Sequence, residues 1–209
     1  MKTKNSILLT TVLLVVSSVS FAQINIGLRH GIAASTFSDK GDLYDNDNII
    51  CSYTMGAFFT LPVMNSLAIQ PEINYVRKGR SNETSEINAA YGTDFMLHYL
   101  QVPVLLQYRH TEILNKVESV FYINAGPYAA FALNTQLREP AKSEGDFMMR
   151  EIESDHNDWG ATFGIGIQTP IRQKDVRFDL RYDMGLSEIE AQPSDFRTKS
   201  LSLTIGILL

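Results

Sequence analysis

Charged and apolar residues alternate in the segment 176–186, where two arginines and two aspartates occupy every second position. Residues two apart on a β-strand point to the same side of a sheet, so these four side chains are predicted to share one face. Three further charged residues fall on the equivalent face of their own segments. The complete set of candidate interior charges is Arg29, Glu72, Arg109, Arg177, Asp179, Arg181 and Asp183.

Two kinds of site could use these charges. The first is an ion path, and the second is a structural network in which opposite charges pair inside a closed interior. Four positive and three negative residues nearly balance. Because an unpaired buried charge is costly, near balance favours the paired network. We therefore expect a structural lumen network and keep the ion path as the alternative.

Other combinations of polar residues give weaker indications of chemistry. The acidic segment 45–48 (Asp-Asn-Asp-Asn) resembles the start of a calcium loop but lacks the glycine and the distal glutamate of an EF-hand. The segment 154–156 (Ser-Asp-His) contains three triad residue types, but adjacent side chains cannot converge as a relay. No histidine or cysteine cluster has metal-ligand spacing. We predict no catalytic residue, no cofactor and no metal.

The elements that position these residues are predicted to be strands, because apolar and polar residues alternate over segments of about ten residues. Pro71, Pro103 and Pro127 lie within three of them, and each should mark a bulge or a local break because proline cannot donate a hydrogen bond to the sheet. The eight predicted strands are 24–33, 51–61, 67–77, 98–109, 120–131, 159–169, 176–186 and 200–209.

The connections between these strands alternate in length. Those after strands 2, 4 and 6 are short, and those after strands 1, 3, 5 and 7 are long, which is typical of an outer-membrane barrel. The predicted short turns are 62–66, 110–119 and 170–175, and the predicted long loops are 34–50, 78–97, 132–158 and 187–198.

The N-terminus predicts an export signal. Lys2 and Lys4 precede an apolar run at 7–16, and small residues end the segment at Ala22. We expect residues 1–22 to be a cleaved signal peptide and residues 23–209 to form one domain. The net charge of −5 argues against nucleic-acid binding, and the single cysteine, Cys51, excludes an internal disulfide.

The apolar face of the strands is expected to meet lipid, because glycine, serine, threonine and paired charges on the polar face suit a crowded interior. A soluble barrel with its apolar face inward is the alternative. Aromatic residues near both strand ends favour the membrane, whose two interfaces select such belts. They are Phe59, Tyr108, Phe121 and Phe178 near the short turns, and Tyr53, Tyr75, Phe131, Trp159 and Tyr182 near the long loops.

Several short motifs, in this order and spacing, resemble the PorT-like outer-membrane β-barrel family of Bacteroidetes. The resemblance implies the barrel fold and an outer-membrane location, and its founding member suggests a secretion-accessory role. Leu209 departs from the aromatic residue that ends many such barrels. The matching segments are QPEINY at 70–75, KG at 78–79, YLQVPV at 99–104, NAGPY at 124–128 and RYDMGL at 181–186.

The sequence thus predicts an all-β, eight-stranded, antiparallel, up-and-down transmembrane barrel with a plugged lumen. An eight-stranded barrel leaves room only for its own side chains, so the long extracellular loops become the expected working surface. We expect a monomer in contact with outer-membrane lipid that binds a protein partner or a surface polymer. The alternative is an outer-membrane enzyme acting on lipid or peptide at the rim, drawing on His98, Asp158 and the 154–156 segment.

Overall fold

The computed structural model describes residues 24–39, 49–82, 93–114, 117–140, 147–152, 157–187, 189–191 and 194–209. The predicted signal peptide and the segments 45–48 and 154–156 lie outside these residues. No helix long and apolar enough to span a membrane occurs in the described ranges.

Ten antiparallel strands make up the described structure. Their bounds are β1 Asn25–Asp39, β2 Ile50–Met64, β3 Leu67–Asn82, β4 Thr93–Leu114, β5 Val117–Pro140, β6 Phe147–Ile152, β7 Asp158–Ile171, β8 Lys174–Gly185, β9 Ile189–Ala191 and β10 Ser194–Leu208. Each barrel strand pairs with its neighbours in the order β1-β2-β3-β4-β5-β7-β8-β10, and β10 pairs back with β1. The closed, eight-stranded, all-β barrel predicted from alternation is therefore confirmed.

The two remaining strands lie outside the closed barrel. β6 pairs only with the end of β5, and β9 pairs only with the start of β10. Both fall within connections that the sequence predicted as loops. The sequence did not predict them as strands because backbone hydrogen bonds continue beyond the level where one face must be apolar. Beyond that level, alternation of apolar and polar residues no longer marks a strand.

The barrel strands are longer than predicted for the same reason. β4 covers 93–114 instead of 98–109, and β5 covers 117–140 instead of 120–131. The predicted boundaries were wrong by up to nine residues at the long-connection end. The short connections between strands shrink accordingly to two residues each, 65–66, 115–116 and 172–173. Arg172 begins the last of them with a positive φ of 59°.

The three prolines predicted to mark local breaks, Pro71, Pro103 and Pro127, interrupt the sheet without changing its register. Pro71 falls in a gap in the β2–β3 pairing, between the pairs Phe58–Glu72 and Leu61–Ile69. Pro103 and Pro127 fall in similar gaps on the β3 side of β4 and on the β4 side of β5. The predicted local breaks are confirmed, whereas the register shifts occur elsewhere, near Pro62 and between His98 and Tyr99.

The two faces of the barrel differ as the alternation predicts. Outward side chains are apolar and exposed, including Trp159 at 58% and Tyr108 at 50% of their surface. Inward side chains are mostly polar and buried, and they include Gln70, Gln101 and Gln107. A barrel with an apolar outer face and a polar interior is suited to a lipid environment.

Candidate functional site: the polar interior

Six of the seven candidate charges are buried inside the barrel, and the seventh lies at its edge. Arg109 is only half-buried, near the short turns, and its guanidinium has no ion-pair or hydrogen-bond partner among the described residues. The buried six are Arg29, Glu72, Arg177, Asp179, Arg181 and Asp183.

Glu72 is the centre of the main charge cluster, which we call the central layer (Arg29, Glu72, Asn74, Asp179 and Arg181). The Glu72 carboxylate accepts hydrogen bonds from two arginines. Arg29 Nη1 lies 3.1 Å from Oε1 and Arg181 Nη1 lies 2.9 Å from Oε2, with a second Arg29 contact to Oε2. Arg181 also pairs with Asp179 at 3.3 Å, and Arg29 donates to Asn74 at 2.9 Å. Two cations thus share two carboxylates.

Aromatic rings and neutral hydrogen-bond acceptors stabilise the Arg177 guanidinium. Its Cζ lies 4.7 Å from the centre of the Phe58 ring and 4.2 Å from that of Tyr122. Its Nη1 donates to Gln70 Oε1 at 3.0 Å, and its Nε donates to the Tyr122 hydroxyl at 3.1 Å. We call Phe58, Gln70, Tyr122 and Arg177 the Arg177 layer. Cation–π contacts stabilise a guanidinium most where water is excluded.

Two glycines make room for these rings. A Cβ added at Gly27 would lie 2.2 Å from the Phe58 ring, and one at Gly166 would lie 2.4 Å from the Tyr122 ring. Both distances are far below van der Waals contact. The aromatic rings that flank Arg177 therefore depend on residues without side chains on neighbouring strands.

A third group of buried polar residues lies nearer the long connections. Lys78 Nζ contacts Asp158 Oδ2 at 3.0 Å and lies 4.6 Å from the centre of the Tyr128 ring. Asp158 Oδ2 also accepts hydrogen bonds from Thr198 at 2.7 Å and from the Tyr128 hydroxyl at 3.0 Å, and Oδ1 accepts one from Ser187. We call Lys78, Tyr128, Asp158, Ser187 and Thr198 the Asp158 cluster.

The Asp158 cluster was not predicted from the sequence as part of the interior. Lys78, Asp158 and Thr198 each lay just beyond a predicted strand, so their face was not considered. The signal that could have placed Lys78 in the interior is the alternation of inward and outward side chains along β3. Lys78 continues the inward set of Glu72, Asn74 and Val76, all of which are buried.

Asp183, the last member of the predicted row, contacts neutral donors. Thr162 donates to Oδ1 at 2.6 Å and Gln101 donates to Oδ2 at 3.2 Å. A cavity of about 20 Å³ adjoins this carboxylate, and it is lined by Gln101, Arg181, Ser200 and Thr204 among others. This volume accommodates about one water molecule.

Among the described residues, the two candidates for a catalytic centre, His98 and Asp158, do not converge. His98 lies on the outer face, where its Nδ1 contacts the Tyr75 hydroxyl, and Cys51 is an exposed free thiol. Within the described part of the chain, no group of three histidine, cysteine, aspartate or glutamate side chains could hold a metal ion. Asp158 belongs to the interior cluster, away from His98.

Comparison with solved structures gives outer-membrane barrels of low sequence identity. Ail of Yersinia pestis, in complex with the heparin analogue sucrose octasulfate, is 14% identical with a TM-score of 0.45, covering 89% of this chain and 99% of that chain. OprG of Pseudomonas aeruginosa is 10% identical with a TM-score of 0.46, covering 88% and 95% respectively. Neisserial surface protein A is 12% identical with a TM-score of 0.44, covering 87% and 96%.

Comparison of the sequence with protein families gives a match over most of the chain, whereas no curated protein matches it. The family is described as "Outer membrane protein beta-barrel domain", and its match extends over residues 21–190. The closed barrel with an apolar outer face and a polar interior agrees with this assignment. The chain belongs to the outer membrane protein beta-barrel domain family and is a protein of the bacterial outer membrane.

Proposed function

We propose that this protein is a non-enzymatic barrel whose interior is closed by its own side chains and whose long extracellular connections bind a partner. The observation that carries the proposal is direct contact between opposite walls. β3 and β8 lie four strands apart in a barrel of eight, so they face each other across the lumen. Glu72 on β3 nevertheless contacts Arg181 on β8 at 2.9 Å.

Further contacts cross the interior at other levels. Gln70 on β3 accepts a hydrogen bond from Arg177 on β8 at 3.0 Å. Nearer the long connections, Lys78 on β3 contacts Asp158 on β7 at 3.0 Å. An ion passing through would have to separate several buried pairs in turn, which is unfavourable in a low-dielectric interior. The contacts therefore support a plugged lumen over an ion path.

Planar-bilayer recording tests the closed interior. Reconstituted protein is expected to give no steady porin-like conductance, and the double variant Glu72→Ala/Arg181→Ala should raise the frequency of brief openings because it removes the main contact between the walls. Large, long-lived, ohmic steps from the wild-type protein that vanish on altering the central layer would contradict the proposal.

The long connections supply the binding surface in this proposal, since the closed interior leaves no room for a ligand larger than a water molecule. Orientation follows the general rule that short turns face the periplasm and long connections face outward. The four long connections, 40–49, 83–92, 141–157 and 186–193, contain three, two, five and two acidic residues. Only three basic residues, Lys40, Lys142 and Arg150, accompany them.

This charge balance defines the chemistry of the proposed partner. Twelve acidic against three basic residues give the extracellular connections a net charge of −9. Such a surface attracts a positively charged protein or polymer and repels a polyanion. A cationic protein segment, including a component of a secretion system as the PorT-like motifs suggest, therefore fits better than a sulfated glycan.

Binding of polylysine and of heparin to protein in nanodiscs tests this partner class. Wild-type protein should bind polylysine, with an affinity that falls as the salt concentration rises, and should not bind heparin. The triple variant Asp42→Asn/Asp45→Asn/Asp47→Asn should bind polylysine less tightly. The control Glu112→Gln/Glu118→Gln/Asp175→Asn makes the same charge change near the short turns and should have little effect. Equal weakening by both variants would indicate attraction to net charge alone.

A further inference from the structure

An outward cluster of polar residues lies near the long-connection end of the barrel, on the face that otherwise meets lipid. The Tyr53 and Tyr75 rings stack with centroids 5.7 Å apart. The Tyr75 hydroxyl contacts His98, and Arg77 lies over the Tyr53 ring at 6.0 Å. Arg77 and His98 are direct partners in the β3–β4 register. Three adjacent strands thus present an arginine framed by aromatic groups.

The charge of Arg77 is not balanced by the described protein. No carboxylate among the described residues lies within salt-bridge distance of its guanidinium, and its Nε is buried without a hydrogen-bond partner there. A buried donor with no acceptor is costly. An acceptor from outside the chain would remove that cost.

An apolar groove leads to Arg77 along the outer surface. Its volume is about 520 Å³, and small side chains at Ala34 and Cys51 lie between larger ones. The apolar walls include Ile32, Leu201 and Leu203, which are exposed by 66%, 50% and 55%. A groove with apolar walls and a cation at one end matches an acyl chain that carries an anionic headgroup.

The position of Arg77 along β3 agrees with a headgroup level. Ten residues separate it from Leu67, the first residue of the strand. At a rise of about 3.3 Å per residue and a tilt of about 40°, this corresponds to about 25 Å along the membrane normal, the height of the apolar band of such barrels. Arg77 therefore lies where the hydrocarbon ends and lipid headgroups begin.

We propose that Arg77, Tyr53, Tyr75 and His98 form a binding site for the phosphorylated headgroup of an outer-leaflet lipid, with an acyl chain in the adjacent groove. Arginine recognises phosphate through paired hydrogen bonds, and tyrosine rings are favoured at the membrane interface. Placing this edge in the outer leaflet rests on the orientation proposed above. The binding measurement itself does not depend on conductance or on a loop partner.

Native mass spectrometry of the protein in a non-ionic detergent tests the site, with lipid A and its dephosphorylated form as the pair of probes. Wild type should retain the phosphorylated lipid preferentially. Arg77→Gln should weaken its binding about tenfold, as expected for loss of a charge-assisted contact. Arg77→Lys keeps the charge but loses the planar fork, so an intermediate affinity is expected. Arg172→Gln removes an exposed arginine at the other end of the barrel and should change nothing.

Three results would overturn the proposal. They are equal retention of the two lipids by wild type, equal weakening by Arg77→Gln and Arg172→Gln, and displacement of the lipid by an equal concentration of inorganic phosphate. The last result would mean that the site recognises free phosphate instead of a lipid. The wild-type comparison of the two lipids decides the question even where a variant fails to fold.

Discussion

The central layer and the Asp158 cluster both hold buried charges inside the same barrel, but they balance them differently. In the central layer, Glu72 contacts two arginines that come from β1 and β8. In the Asp158 cluster, one lysine faces one carboxylate, and the remaining partners are hydroxyl groups. Removing Glu72 therefore leaves Arg29 without a carboxylate partner and Arg181 with Asp179 alone, whereas removing Asp158 leaves one lysine without a carboxylate partner.

The difference also concerns what else supports each cation. Lys78 lies over the Tyr128 ring and within 5.7 Å of the centre of the Tyr99 ring. Arg181 has no ring contact in the described residues and depends on Glu72 and Asp179. A lysine held partly by aromatic faces should tolerate loss of its counter-ion better than two arginines held by carboxylates.

Glu72→Gln should have the largest effect. The neutral amide keeps the shape but leaves Arg29 without a carboxylate partner and Arg181 with Asp179 alone, so the free energy of unfolding is expected to fall by about 3–5 kcal/mol. Equilibrium unfolding in lipid or detergent, followed through the single tryptophan, Trp159, measures it. Glu118→Gln, at an exposed carboxylate near a short turn, is the control and should change stability by less than about 1 kcal/mol. Similar losses in both variants would remove the special role of the central layer.

Asp158→Asn should cost less, about 3 kcal/mol, because it leaves a single cation that keeps its aromatic contacts. Adding Lys78→Met removes that cation. The double variant should therefore lose less unfolding free energy than the two single variants lose in sum. Their non-additivity is measured in a double-mutant cycle. Strictly additive losses would mean that Lys78 and Asp158 do not depend on each other, and the contrast with the central layer would disappear.

Gly166→Ala tests the Arg177 layer, which uses rings in place of carboxylates. The added methyl group would displace Tyr122 and with it the hydrogen bond to Asp179 at 2.8 Å. We expect a loss of about 1–3 kcal/mol, typical of overpacking. Adding Tyr122→Leu should reduce the further effect of Gly166→Ala, since the clashing ring is gone. Unchanged unfolding of Gly166→Ala would show that Tyr122 has room to move.

Arg172→Gly should have the smallest effect and the opposite sign. The φ of 59° at this turn residue favours glycine, so relief of strain is expected to stabilise the protein by up to about 1 kcal/mol. The same unfolding measurement applies. It compares the interior effects with a change outside the central layer, the Arg177 layer and the Asp158 cluster. Gln173→Gly, at the neighbouring turn position, should not stabilise. Stabilisation by both would mean that the effect does not depend on the positive φ of Arg172.

The barrel and its two faces are predictable from the residue pattern of the chain. Alternation with a period of two, together with unequal connections, predicts which side chains point inward, because a strand offers only two directions. For that reason the six buried charges, such as Glu72 and Arg181, could be assigned to the interior from the chain alone. Strand ends were less predictable, because pairing continues where neither face must be apolar.

Which interior groups meet is not predictable from the chain and depends on the closed barrel. Glu72 and Arg181 are 109 residues apart, and Lys78 and Asp158 are 80 apart. Their contacts depend on barrel closure, on the register of every intervening strand pair and on the size of the groups between them. The Gly27–Phe58 and Gly166–Tyr122 packing, which brings two rings to Arg177, follows from the same closure. Alternation fixes the direction of a side chain, whereas its partner is fixed by the positions of all the other strands.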